Sequence, residues 1–120
     1  MPASHEDITA FLLQVKKAVS AKQFYFEDRE TNMQALACHG LTIDDVSAAI
    51  KSLTPADYST GPEKDYNPRY PGEVWVFGHE LGGAIFYIKL KFINTSSGKG
   101  VLCLSFHESK YKMDFPYRTI

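Results

Sequence analysis

The stretch that most restricts the fold is IFYIKLKFINTSSGKGVLCLSFH, residues 85–107. Two apolar runs flank a loop of Asn, Ser, Gly and Lys. That pattern predicts two antiparallel strands joined by a flexible connection. Alternate strand residues point to opposite faces. Phe86, Ile88, Leu90 and Phe92 therefore share one face, and Ile85, Tyr87, Lys89 and Lys91 share the other. In the second run Leu102, Leu104 and Phe106 alternate with Cys103, Ser105 and His107. Closure about Ser97 places Tyr87 opposite His107 and Lys89 opposite Ser105. Burying both apolar sets together demands this parity, because a slip of one residue turns one set to solvent. The second face then carries a phenol, two amines, a hydroxyl and an imidazole.

The rest of the chain supplies a cover for that hairpin. At 120 residues it reads as a single domain, 1–120, long enough for a core. Ser4 and Asp7 open a helix over about 6–20, with Ile8, Phe11, Leu12, Val15 and Val19 at helical spacing. QFYFE, residues 23–27, reads as a short strand. A second helix follows the Asp28–Thr31 caps, holds Met33, Leu36 and Ala37, and stops at Gly40. Thr42 and Asp45 form a capping box for a third, whose stripe is Val46, Ala49, Ile50 and Leu53. EVWVF, residues 73–77, is a strand leading into the hairpin. The order predicts an α+β domain: a mainly antiparallel sheet with the N-terminal helices packed on one face. The tail ESKYKMDFPYRTI is basic and aromatic. It reads as lying back across the sheet, and Pro116 makes it a poor central strand.

The three prolines and two glycines of residues 58–73 argue against regular structure there. The stretch also carries Tyr58, Tyr66 and Tyr70 with Lys64 and Arg69. Aromatics interleaved with cations suit single-stranded nucleic acid, since bases stack on rings and phosphates meet amines. The alternative is a connector whose tyrosines cover core edges. A net charge of −1 gives no global basic signal, so nucleic-acid binding requires a local patch. No apolar run is long enough to span a bilayer, and MPASHEDIT does not read as a signal peptide. Cys38 and Cys103 sit among apolar residues and read as buried free thiols, which fits the cytoplasm. Their spacing to His39 and His107 is not that of a metal site, so neither metal nor cofactor is expected.

The polar face of the hairpin has the groups that metal-free RNA cleavage needs. A proton must leave the ribose 2′-hydroxyl, charge on the phosphoryl oxygens must be stabilised, and the 5′-oxygen must be protonated. An imidazole titrates near neutrality, so His107 is a candidate acid or base. Lys89, Lys91 and Lys64 are candidates for holding the phosphate. Tyr87 can donate a hydrogen bond, or a proton if a neighbouring lysine lowers its pKa. Ser105 can position a phosphate oxygen, and Trp75 or Phe77 can stack a base. The competing reading of Tyr87 and Lys89 is the solvated side of a sheet.

The motifs LQVKKAVSAKQ, GLTIDDVSAAIKSLTPADY, VWVF, FYIKL and CLSFH, in this order over roughly residues 12–110, resemble the MqsR family of toxins of bacterial toxin–antitoxin systems. The resemblance implies a RelE-like fold, mRNA endoribonuclease activity and a cognate antitoxin protein as partner. It implies a catalytic Tyr at Tyr87, a lysine where this chain has His107, and a loop lysine best matched by Lys64. A family Gln would fall on Val76, which cannot do the same work. The Lys-to-His change is chemically benign, because imidazole is the better general acid near neutral pH. The tail after Lys110 lies outside the family pattern. A different class of reading is a non-catalytic toxin-fold module that binds a protein or RNA.

Overall fold

The computed structural model describes residues 2–65 and 72–118. The chain order is α1 (His5–Ser20), β1 (Phe24–Phe26), α2 (Glu30–His39), α3 (Ile43–Lys51), a 3₁₀ turn (Pro55–Asp57), β2 (Tyr58–Asp65), β3 (Gly72–Leu81), β4 (Ala84–Thr95) and β5 (Gly98–Glu108). The strands form one sheet in the order β1-β5-β4-β3-β2. Only β1 runs parallel to its neighbour β5; the other pairs are antiparallel. The expected α+β class, with a mainly antiparallel sheet, is present. Among the described residues, no helix is long and apolar enough to cross a membrane.

The helices start where their caps dictate. The Ser4 hydroxyl accepts from the Asp7 N–H, and Thr42 with Asp45 closes a full capping box. α2 ends at Gly40, whose φ of 64° is left-handed and suits a residue without a Cβ. Ile8, Val15, Val46, Ile50 and Leu53 are fully buried and meet Phe77, Phe86, Ile88 and Leu90 on one face of the sheet. Within that layer the Phe11 ring stacks on Trp75 with centroids 4.3 Å apart. Met33 departs from the expected α2 stripe and is exposed, whereas Asn32 beside it is buried. Cys38 is likewise exposed; only Cys103 is the buried thiol expected of both.

Residues 58–65 are not a structureless connector. Tyr58–Asp65 is a strand, and Tyr58 is fully buried against Trp75 and Phe77. The pairing of β2 with β3 shifts between Tyr58 and Thr60 and again between Thr60 and Glu63. Those irregularities accommodate Gly61 and Pro62, which cannot continue a regular ladder. Tyr66, Arg69 and Tyr70 lie outside the described residues.

The other face of the sheet is partly covered by the C-terminal tail, as its composition predicted. The Ser109 N–H donates to the Ile85 carbonyl at 2.8 Å. Ser59 Oγ donates to the Asp114 carbonyl at 2.7 Å, and Tyr117 Oη donates to the Ala3 carbonyl at 2.6 Å. Phe115 lies over Gly78 so closely that a Cβ there would sit 2.5 Å from the ring. The absent side chain is what admits the tail to the sheet.

Candidate active site

The hairpin between β4 and β5 turns at Ser96 and Ser97, with Thr95 opposite Gly98. Counted from that turn, a regular ladder sets Tyr87 against Phe106. An extra residue in β5 changes this. The register shifts between Lys89 and Leu90, leaving Leu104 without a partner in β4. Beyond this bulge Lys89 faces Ser105 and Tyr87 faces His107. The bulge therefore creates the pairing that symmetric closure about Ser97 predicted, by a route invisible in the alternation.

The same bulge corrects the expected parity of β5. Leu102 and Leu104 do not join Phe106. They turn to the opposite face and form a second apolar cluster with Val74 and Ile93. Val101, Cys103 and Phe106 occupy the helix-covered core instead. A bulge puts two residues of one strand against one of the other, so it inverts the alternation on its far side.

Asn32 of α2 is bound to this irregularity. Its Nδ2 donates to the Leu104 carbonyl and to the Glu27 carbonyl, both at 2.9 Å. Its Oδ1 accepts from the Phe106 N–H at 3.1 Å. Arg29, just before α2, donates to the Leu104 carbonyl and to Ser105 Oγ, the latter at 2.9 Å. Neither residue stood out in the sequence. Asn32 reads as a polar surface position of a helix, and Arg29 as part of a cap. The one available signal was Asn32's place four residues before Leu36, on α2's buried side.

Two rows of side chains result on the face away from the helices. Pairing aligns Thr60, Val76, Lys89 and Ser105 across four strands, with Arg29 at the Ser105 end. The adjacent row is Gly78, Tyr87 and His107. The Tyr87 and His107 rings stack with centroids 5.5 Å apart and planes 18° from parallel. Both are half-buried, as is Lys89. The Tyr87 and His107 rings line a groove of about 450 Å³, whose walls include Thr60, Ser109, Tyr111, Lys112 and Asp114.

Electrostatics differentiate these groups. Burial, then the Glu63 carboxylate, push the Tyr87 phenol above its ordinary value of 10.0, and the Arg29 guanidinium opposes them. The lysine-lowered phenol considered from the sequence is not what forms; Tyr87 is a neutral hydrogen-bond donor at physiological pH. His107 Nδ1 lies 3.1 Å from the Glu108 carbonyl. A carbonyl only accepts, so Nδ1 carries hydrogen and Nε2 is left as the basic nitrogen of the neutral ring.

Other candidates lie elsewhere. Lys64 pairs with Glu73, in phase with Trp75, so the β2 irregularity puts it on the helix side of the sheet rather than beside Tyr87. Trp75 and Phe77 pair with Leu90 and Ile88 and lie in the core under α1, not in the groove as base-stacking rings. Lys91 is on the correct face but fully buried, with Nζ 2.7 Å from Asp65 Oδ2. Its carboxylate partner Asp65 makes this a structural ion pair rather than a substrate contact. Val76 lies in the Lys89 row and brings no polar group to it. Arg69 falls outside the described residues. No group of three or more His, Cys, Asp or Glu among the described residues is arranged to hold a metal ion.

No protein-family model, curated protein or solved structure matches this chain significantly.

Proposed function

We propose that the chain is a metal-independent endoribonuclease cleaving single-stranded mRNA, the toxin component of a bacterial toxin–antitoxin pair with an MqsR-like, RelE-like fold. It would act in the cytoplasm and be restrained by a cognate antitoxin protein. The observation that carries this reading is the stacked Tyr87–His107 pair lining one groove, with the Lys89–Ser105 pair in the neighbouring row of the same sheet face.

The groups divide the reaction between them. His107 Nε2 accepts the proton of the ribose 2′-hydroxyl. The 2′-oxygen bonds to phosphorus, and the bond from phosphorus to the 5′-oxygen breaks. The Tyr87 phenol gives its proton to that departing oxygen. The products are a 2′,3′-cyclic phosphate and a 5′-hydroxyl, and His107 returns its proton through water to reset Tyr87. Lys89 opposes the charge that grows on the phosphoryl oxygens. Arg29 assists: a guanidinium has five donors, so its bonds to Leu104 and Ser105 leave others for a phosphate.

The test is incubation of the purified protein with single-stranded RNA in EDTA. Cleavage is expected to persist, and His107→Ala to slow it by about 10²-fold or more. Intact RNA across several sequences overturns the reading. So does unchanged cleavage by His107→Ala combined with Tyr87→Phe. Growth arrest that survives both substitutions would assign the chain to partner binding instead.

A further inference from the structure

The tail crosses the sheet beside the Tyr87–His107 pair and ends the groove on that side. Its anchors are internal: Ser109 holds the Tyr111 carbonyl through a 2.6 Å hydrogen bond, and Phe115 fills the space over Gly78. Between them the segment Lys110-Tyr111-Lys112 is exposed, and among the described residues Tyr111 is the most exposed large hydrophobic one at 85%. A ring this size is normally withdrawn from water. Here a fixed backbone presents it.

Tyr111 and Lys112 also separate two grooves. Both line the one that holds Tyr87 and His107, and both line a second of about 660 Å³ on the other side of the tail. The second groove also includes Arg118, whose guanidinium lies 3.8 Å over the Phe115 ring and is 3.3 Å from Asp57. Acidic groups are present too: Asp114 lines the first groove and Glu108 the second. The ridge itself carries two ammonium groups flanking an aromatic ring. Rings that stack bases beside amines that meet phosphates are the means by which proteins hold single strands without reading sequence.

We propose that Lys110, Tyr111 and Lys112 form a binding platform for single-stranded RNA. Tyr111 stacks the base of a nucleotide next to the scissile one, and the lysines hold the adjoining phosphates. The platform guides the strand from the second groove across the ridge onto His107 and Tyr87. It rests on the ribonuclease reading for the identity of the ligand, but not on cleavage.

Fluorescence anisotropy with a short labelled oligoribonucleotide, and with its DNA counterpart, reads binding separately from chemistry. Using His107→Ala as the background keeps the RNA whole. Tyr111→Ala is expected to weaken binding of both oligonucleotides by about tenfold or more, whereas Tyr111→Phe keeps the stack and retains affinity. Lys110→Ala with Lys112→Ala is expected to flatten the dependence of log K on log salt by about 1–2. Tyr111 is exposed, so an unchanged melting temperature checks the fold of each variant. Tyr111→Ala binding as tightly as its parent overturns the platform, even if wild-type protein cleaves RNA. Tyr111-dependent binding without wild-type cleavage upholds the platform and removes the nuclease. No binding by the His107→Ala parent overturns the platform outright.

Discussion

Replacing Asn32 with Ala tests how the site is built. Asn32 is 1% exposed, and its amide makes three hydrogen bonds at the β5 bulge. Each such bond contributes about 1 kcal/mol net. Truncation also strands the buried Phe106 N–H, which costs about 1–3 kcal/mol by itself. The Leu104 carbonyl keeps Arg29 as a donor, and the Glu27 carbonyl is only half-buried, so those losses are partial. The expected total is about 3 kcal/mol. A domain of this size then melts roughly 10–15 °C lower. Since small domains are stable by about 5–15 kcal/mol, the variant should still fold at low temperature. The neighbouring Met33→Ala, at an exposed position, should cost under about 0.5 kcal/mol. Urea titrations of the two variants give both numbers. If Asn32→Ala loses less than about 1 kcal/mol, the reasoning that this amide sustains the bulge is wrong. The bulge also brings His107 opposite Tyr87, so cleavage at a temperature where the variant is folded should fall with the loss of local order.

Three further outcomes follow from particular contacts. Lys91→Met leaves the partly exposed Asp65 carboxylate beside an apolar chain, and should cost about 2–3 kcal/mol in a thermal or urea melt; combining it with Asp65→Leu should recover much of that, and no recovery would refute the pairing as the cause. Gly78→Ala places a methyl against Phe115 and should displace the tail, raising proteolytic cleavage between residues 109 and 118 while the rest of the domain persists; an unchanged digestion pattern would contradict the close approach. Burial raises the Cys103 thiol, and burial with Glu63 raises the Tyr87 phenol, so both hold their protons longer when folded. The stability this contributes is complete below the unfolded values, 9.0 for the thiol and 10.0 for the phenol, and is lost as pH rises above them. Tyr87→Phe should therefore flatten the fall in urea midpoint above about pH 10, and an identical alkaline limb would refute the shift.

The sequence carried much of this architecture in local chemistry. The caps at Ser4 and Thr42, the αL stop at Gly40 and the stripes of α1 and α3 are each written within a few residues and form as expected, whereas of the α2 stripe only Leu36 is buried and Met33 and Ala37 are exposed. The opposition of Tyr87 with His107 and Lys89 with Ser105 was also legible. What failed were features decided at a distance. VWVF is apolar at every position, so alternation did not reveal that Trp75 and Phe77 face the core. The β5 bulge depends on Asn32, 72 residues away from Leu104, and no local pattern announces it. Gly61 and Pro62 masked β2, because the strand absorbs them as irregularities rather than ending. That absorption also carried Lys64 away from the groove. Arg29 entered the site through tertiary contact alone.

The central claim is attack by a ribose 2′-hydroxyl on the face that Tyr87, Lys89 and His107 share. The most direct measurement uses an oligoribonucleotide that the protein cuts at one place, compared with the same strand bearing a single 2′-deoxy sugar on the 5′ side of the scissile phosphate. Cleavage should yield a 2′,3′-cyclic phosphate with the first and vanish at that position with the second. Cleavage of the deoxy strand at the same bond would contradict the account.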